Sequence, residues 1–267
     1  MHRRASNLLK KRLFLTAVFL LVFSQIPSAF SADLLLFAGA GLRQPTDRLI
    51  KMFEKDTGHT VCTTYGGSGQ LMSAILASGR GDLFMPGAFF YIKTLKEKGL
   101  IHSFRRLMAH TPVIGVNHHK RDQLRSIDDL ARPGVRLALG DPHAMAFGRV
   151  AQRILSHSPL KTAILKNVVV YGATVKQLAL YVAQGDVDAA IIGRADAFQF
   201  RERIQMVQIP EAYNPPETIA IAVLYATRHL EAACRFRDFM ASPRGTEVFE
   251  TFGFLPLDAG TKPEGAP

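Results

Sequence analysis

The chain has 267 residues, 48% of them hydrophobic and 21% charged, with a formal net charge of +11 at neutral pH. That size and apolar share exclude a disordered or fibrous chain and leave room for one large or two small domains. Five of the excess positive charges fall in residues 1–31, which hold no Asp or Glu. The moderate excess that remains favours the approach of anions without calling for nucleic acid as a partner.

Arg3, Arg4, Lys10, Lys11 and Arg12 precede an apolar stretch over residues 13–23, followed by Pro27 and then Ala29-Phe30-Ser31. A basic start, a short apolar run and a small-residue exit predict a signal peptide over residues 1–31, cut near Ser31/Ala32, and therefore a periplasmic mature chain. The apolar run is short for a membrane-spanning helix. Cys62 and Cys234 are the only cysteines. An oxidising compartment would let them pair, but two buried free thiols is the favoured expectation, since Cys packs as a small hydrophobe.

From residue 32 the pattern alternates short apolar runs with helical periodicity. Residues 34–37 read as a strand, and Leu49, Ile50 and Phe53 as a helix face stopping at Gly58. Residues 60–65 read as a second strand, Leu71, Met72, Ile75 and Leu76 as a helix stopping at Gly79, and residues 82–85 as a third strand. This βαβαβ rhythm implies a parallel sheet with helical crossovers. It returns in strands over 135–139, 168–171 and 187–192, separated by helices that carry Val150 and Ile154, then Val175, Leu178 and Val182. Extended, proline-containing segments over 107–117 and 204–226 fall between the two units, and helices close the chain from about 228 to 252. The expected division is residues 32–110 plus 216–258 for one lobe, 111–215 for the other, and a disordered tail over 259–267.

In open α/β sheets, ligands bind beyond the carboxyl ends of the strands. The first two strand exits here are Ala38-Gly39-Ala40-Gly41 and Gly66-Gly67-Ser68-Gly69, each leading into a helix. In the second unit, Met145-Ala146-Phe147-Gly148 and Gly172-Ala173-Thr174-Val175 stand at helix starts. Glycine permits close backbone approach or a positive φ, and a helix start offers unpaired N–H groups to an anion. Ser68 adds a hydroxyl, or caps its own helix. Arg43 and Arg194, just past strand ends, are either anion contacts or rim residues. The nucleophile elbow, the phosphate-binding P-loop and the full dinucleotide fingerprint are all missing, which argues against an enzyme, a cofactor or a metal held directly by side chains.

In order along nearly the whole mature chain, Phe37-Ala38-Gly39-Ala40-Gly41-Leu42, Tyr65-Gly66-Gly67-Ser68-Gly69-Gln70-Leu71, Gly81-Asp82-Leu83-Phe84, Arg136-Leu137-Ala138-Leu139-Gly140-Asp141-Pro142 and Phe252-Gly253-Phe254 resemble the molybdate/tungstate-binding periplasmic proteins of ABC importers. The resemblance implies an α/β, two-lobed type II periplasmic-binding fold, each lobe a mostly parallel sheet flanked by helices, joined by two crossover segments. It implies a monomeric, non-catalytic binding protein that captures a tetrahedral oxyanion, molybdate or tungstate, whose metal is held only through its oxygens, and delivers it to a membrane permease. The ligand-binding positions it implies are Gly41, Ser68, Gly69, Ala146, Phe147 and Val175, with Ser68 a hydroxyl donor and Phe147 and Val175 main-chain donors. This chain departs from the pattern at Gly41, where the family usually has Ser, and at Gly193, where it often has Tyr. Pro86-Gly87 replaces Ser-Ala. These departures widen the pocket and keep open a larger phosphorylated or carboxylated anion, met by Arg43 or Arg194. An enzyme or a sensory module on the same scaffold is less favoured.

Overall fold

The computed structural model describes residues 31–210, 212–213 and 217–257. The expected signal peptide, up to residue 30, and the expected tail lie outside the described residues.

The first unit runs β1 (Asp33–Gly39), α1 (Arg43–Thr57), β2 (Thr60–Gly66), α2 (Ser68–Ser78), β3 (Leu83–Met85), α3 (Phe89–Glu97) and β4 (Ile101–His110). Helices α1 and α2 end at Gly58 and Gly79, whose φ values of 74° and 62° give the left-handed turn that stops a helix. Strands β1, β2 and β3 pair in parallel, as crossover helices require.

The second unit runs β5 (Pro112–Asn117), β6 (Leu137–Gly140), α4 (Ala146–Ser156), α5 (Lys161–Lys166), β7 (Val168–Gly172), α6 (Val175–Gln184), β8 (Ala189–Gly193), α7 (Arg194–Gln199) and β9 (Ile204–Gln208). The chain then returns through β10 (Glu217–Leu224), α8 (Leu230–Met240) and α9 (Pro243–Thr251).

The strand orders are β2-β1-β3-β10-β4 and β7-β6-β8-β5-β9. Each sheet therefore takes in, at its fourth place, a strand that arrives directly from the other sheet. That strand, β10 or β5, runs antiparallel to both its neighbours. The fold is α/β and two-lobed, of the type II periplasmic-binding kind. Only Thr111 separates β4 from β5, and residues 209–216 separate β9 from β10.

The first sheet is covered on both faces. Leu49, Phe53, Phe236 and Phe249 pack on one side with α1, α8 and α9. Leu71, Ile75, Ile92 and Leu95 pack on the other with α2 and α3. The second sheet has one continuous core, in which Val150, Ile154, Leu178 and Val182 supply the helix faces. Short helices α3, α5 and α7 stand where the sequence gives no sharp period. Cys62 and Cys234 are both free thiols, but Cys62 is exposed, not buried, because it points outward from the edge strand β2. Cys234 is half-buried.

Candidate functional site

The helix starts of the two lobes meet around a small, half-open cavity of about 20 Å³. From the first lobe it is lined by Gly39 to Leu42, Gly66 to Ser68, Gly87 and His110, and from the second by Met145 to Phe147, Thr174 and Val175. Helices α2, α4 and α6 begin at Ser68, Ala146 and Val175, so the amides of their first turns have no carbonyl one turn back and carry the positive end of the helix dipole. Thr174 fixes the α6 start: its hydroxyl accepts from the Gln177 N–H at 3.2 Å, and Gln177 Oε1 accepts from the Thr174 N–H at 3.2 Å.

Of the residues expected from sequence, Gly41, Ser68, Ala146, Phe147 and Val175 all line this cavity. Gly69 stands just outside it and bridges the lobes, its N–H donating to Ala144 O at 3.0 Å. Ser68 does not cap α2; Gly67 holds that position. The buried Ser68 Oγ instead accepts from the Gly87 N–H at 3.0 Å, which leaves its own proton to donate.

The two arginines are not brought to the cavity wall. Arg43 is exposed and lies 4.1 Å over the Tyr65 ring. Arg194 donates from Nη1 to Gly253 O at 2.6 Å, tying α7 to the chain beyond α9.

The glycines work differently from one of the two roles allowed them. Gly41, Gly66, Gly67 and Gly69 have no positive φ; the positive-φ glycines lie elsewhere. What they supply is proximity. A Cβ on Gly67 would stand 2.3 Å from Ala144 O, and one on Gly69 would stand 2.1 Å from His143 O. Both distances are far inside van der Waals contact, so the lobes close on bare backbone.

Sequence reasoning missed two side chains. His110, at the end of β4, is buried, with Nδ1 2.8 Å from Gly87 O. A carbonyl oxygen only accepts, so Nδ1 carries the proton and Nε2 presents a lone pair, and that Nε2 has no partner. Burial pushes the imidazole down to about 4, against the pull of the Gly87 bond, so it stays neutral. Its ring meets Phe147 edge-on at 4.4 Å.

Asp196, in the first turn of α7, is fully buried, and neither carboxylate oxygen has a hydrogen-bond partner. Burial pushes its carboxyl up to about 7, partly opposed by Lys176 and by its own main-chain N–H. The Lys176 ammonium itself bonds Gln199 Oε1 at 2.7 Å. A Cβ on Gly41 would lie 3.3 Å from both Asp196 oxygens, which puts the carboxylate directly behind the cavity wall. The only sequence sign of either residue is a lone polar side chain at the end of an apolar element.

A larger groove of about 440 Å³ runs past Tyr91 and Arg149. Its Arg149 lies 4.1 Å over the Phe90 ring, and its Arg153 pairs with Glu217, so its cations are already engaged.

Two lobes with opposed helix starts around a small, donor-lined cavity define a clamp-type solute-binding protein. The family model described as bacterial extracellular solute-binding protein matches residues 34–255. The chain belongs to that family. A Haemophilus influenzae protein named for binding, with no ligand in its name, is 35% identical over 93% of this chain and 99% of its own length. A molybdate-binding protein of Mycobacterium tuberculosis is 24% identical, covering 85% of this chain and 86% of its own. The solved periplasmic molybdate-binding protein of Azotobacter vinelandii superposes with a TM-score of 0.74 at 20% identity, covering 84% of this chain and 99% of that one.

Proposed function

We propose that this protein is the extracytoplasmic substrate-binding component of an ABC importer, capturing a small tetrahedral oxyanion without chemical change. The observation that carries the proposal is the Ser68 hydroxyl, its lone pair taken by the Gly87 N–H and its proton left to face a cavity ringed by helix-start amides. Such preorganised neutral donors replace an anion's hydration shell at little reorganisation cost. Gly41, Ala146, Phe147 and Val175 supply backbone donors, and Gly69 joins the lobes. Molybdate and tungstate are the members of the class that the relatives' names bring forward.

The same reading assigns residues 1–31 to a signal peptide, residues 32–110 with 216–258 to one lobe and residues 111–215 to the other. Closure is a hinge motion at the two crossovers, and the closed form is read by a membrane permease as a monomer.

The test is a thermal-shift and calorimetric series with molybdate, tungstate, sulfate and phosphate on the mature chain. At least one raises the melting temperature, because a ligand specific to the folded state stabilises it. Ser68→Ala weakens that ligand by about 1–3 kcal/mol. If none of the four binds, or if Ser68→Ala leaves affinity unchanged, the assignment fails.

A further inference from the structure

The donors of the cavity have a counterpart that a plain anion does not need. At its His110 end the cavity wall carries His110 Nε2, with the Asp196 carboxylate directly behind the wall, and both are buried acceptors with no hydrogen bond from another residue. Their spacing is bounded by the geometry at Gly193. A Cβ there would be 2.7 Å from His110 Nε2 and 2.8 Å from Asp196 Oδ2. The two acceptors are thus at most about 5.5 Å apart, a gap that one bridging oxygen spans at ordinary hydrogen-bond lengths.

Buried acceptors left empty are costly, and a site that holds them rejects guests unable to fill them. We propose, resting on the oxyanion reading above, that this acceptor pair selects a guest that brings its own proton: a monoprotonated oxyanion of hydrogen phosphate chemistry, in preference to fully deprotonated sulfate, molybdate or tungstate. The guest's single proton goes to the Asp196 carboxylate, the stronger of the two acceptors, while its bare oxygens accept from Ser68 and the amides of Gly41, Phe147 and Val175.

The surroundings of Asp196 support an ionised, accepting carboxylate once the pH is above neutrality. Lys176 on α6 is the cation coupled to it, His110 on β4 is neutral, and Arg194, its neighbour on α7, is turned to Gly253 O. Apart from the pull of its own main-chain N–H, nothing in that set supplies a hydrogen bond.

The experiment is calorimetric titration of the mature chain with phosphate, sulfate and molybdate at a pH of about 8, in wild type and Asp196→Asn, with thermal unfolding to confirm that both are folded. Phosphate keeps one proton at that pH and the other two keep none. Phosphate is expected to bind wild type about tenfold or more tightly than either competitor. Asp196→Asn puts an N–H donor where an acceptor stood, so phosphate weakens, sulfate and molybdate strengthen, and the preference collapses or inverts.

Sulfate or molybdate binding wild type as tightly as phosphate overturns the inference while leaving the oxyanion reading intact. So does a preference that Asp196→Asn leaves unaltered, the result expected if an ordered water alone fills the gap. Silence of all three anions overturns the inference, and silence of tungstate as well overturns the oxyanion reading with it.

Discussion

Replacing Gly69 by Ala is the sharpest single perturbation of lobe closure. Gly69 has no positive φ, so alanine fits its backbone. Gly69 is the second residue of α2, where alanine is tolerated and favours the helix by less than the roughly 1 kcal/mol it gains over glycine in a helix interior. Any loss must therefore come from the other lobe. The new Cβ would lie 2.1 Å from His143 O and 3.2 Å from Ala144 O. An ordinary contact needs more than about 1 Å of extra separation at His143. Opening by that amount breaks the Gly69 N–H to Ala144 O bond of 3.0 Å and the longer Gln70 N–H bond of 3.4 Å to the same oxygen. At about 1 kcal/mol each, with strain added, the closed form loses about 1–3 kcal/mol and affinity falls about tenfold to a hundredfold. The ligand-free melting temperature stays the same or rises slightly, because the open form carries no clash. Calorimetry gives the affinity, and small-angle scattering gives the compaction on adding the tightest oxyanion. Wild-type affinity with full compaction in Gly69→Ala would refute the claim that bare backbone is what lets the lobes shut.

The remaining predictions concern the buried pair, the tail and the thiols. Asp196 has its carboxyl raised to about 7, so the stability present below its unfolded value is lost as pH rises through neutrality. Asp196→Asn removes that loss: its gain in melting temperature over wild type is largest at a pH of about 8 and vanishes near 4, with a ceiling of about 4 kcal/mol. A gain independent of pH would show that the carboxyl is not the cause. His110 is lowered to about 4, so its contribution is present above its unfolded value and is lost as pH falls toward 4. His110→Gln should flatten that acid limb in urea unfolding. Gly253→Ala, at φ 89° and with a Cβ 2.7 Å from Phe198, destabilises by about 1–3 kcal/mol in the same assay. Cys62 reacts with a thiol reagent in the native state faster than Cys234, and mass analysis finds no disulfide.

Much of the fold was legible because it rests on local periods. Helix faces such as Leu49, Ile50 and Phe53 and stops such as Gly58, Gly79 and Gly185 stand in the sequence as they stand in the structure. Helix α3 was not read, because Phe89, Phe90, Tyr91 and Ile92 form an apolar run with no helical period. The cavity's backbone donors were legible for a related reason: a glycine-flanked strand exit is a local feature, and Gly41, Ser68, Ala146, Phe147 and Val175 each sit at one. His110 and Asp196 were not, because they meet only through the crossover at Thr111 and the close packing of Gly193. Nothing within a few residues of either one marks the contact. Arg43 and Arg194 were read as anion groups on position alone, and the structure gives each a nearer partner in Tyr65 or Gly253.

Two departures from the molybdate-type pattern, which look independent in sequence, both stand beside Asp196. A serine at Gly41 would add a Cβ 2.7 Å from Val175 Cγ1 and 3.3 Å from both Asp196 oxygens. A tyrosine at Gly193 would begin with a Cβ 2.7 Å from His110 Nε2 and 2.8 Å from Asp196 Oδ2. The Gly41 side chain is barred first by Val175, with Asp196 close behind, and the Gly193 side chain by His110 and Asp196. What stands beside Gly193 is a pair of acceptors, His110 Nε2 and Asp196 Oδ2. Their presence leaves the donors of Ser68 and the helix starts in place and gives one end of the cavity the opposite hydrogen-bond polarity. A guest that matches it must accept at one end and donate at the other. An ion with four equivalent bare oxygens does not do so, and adding one proton to such an ion is the smallest change that does.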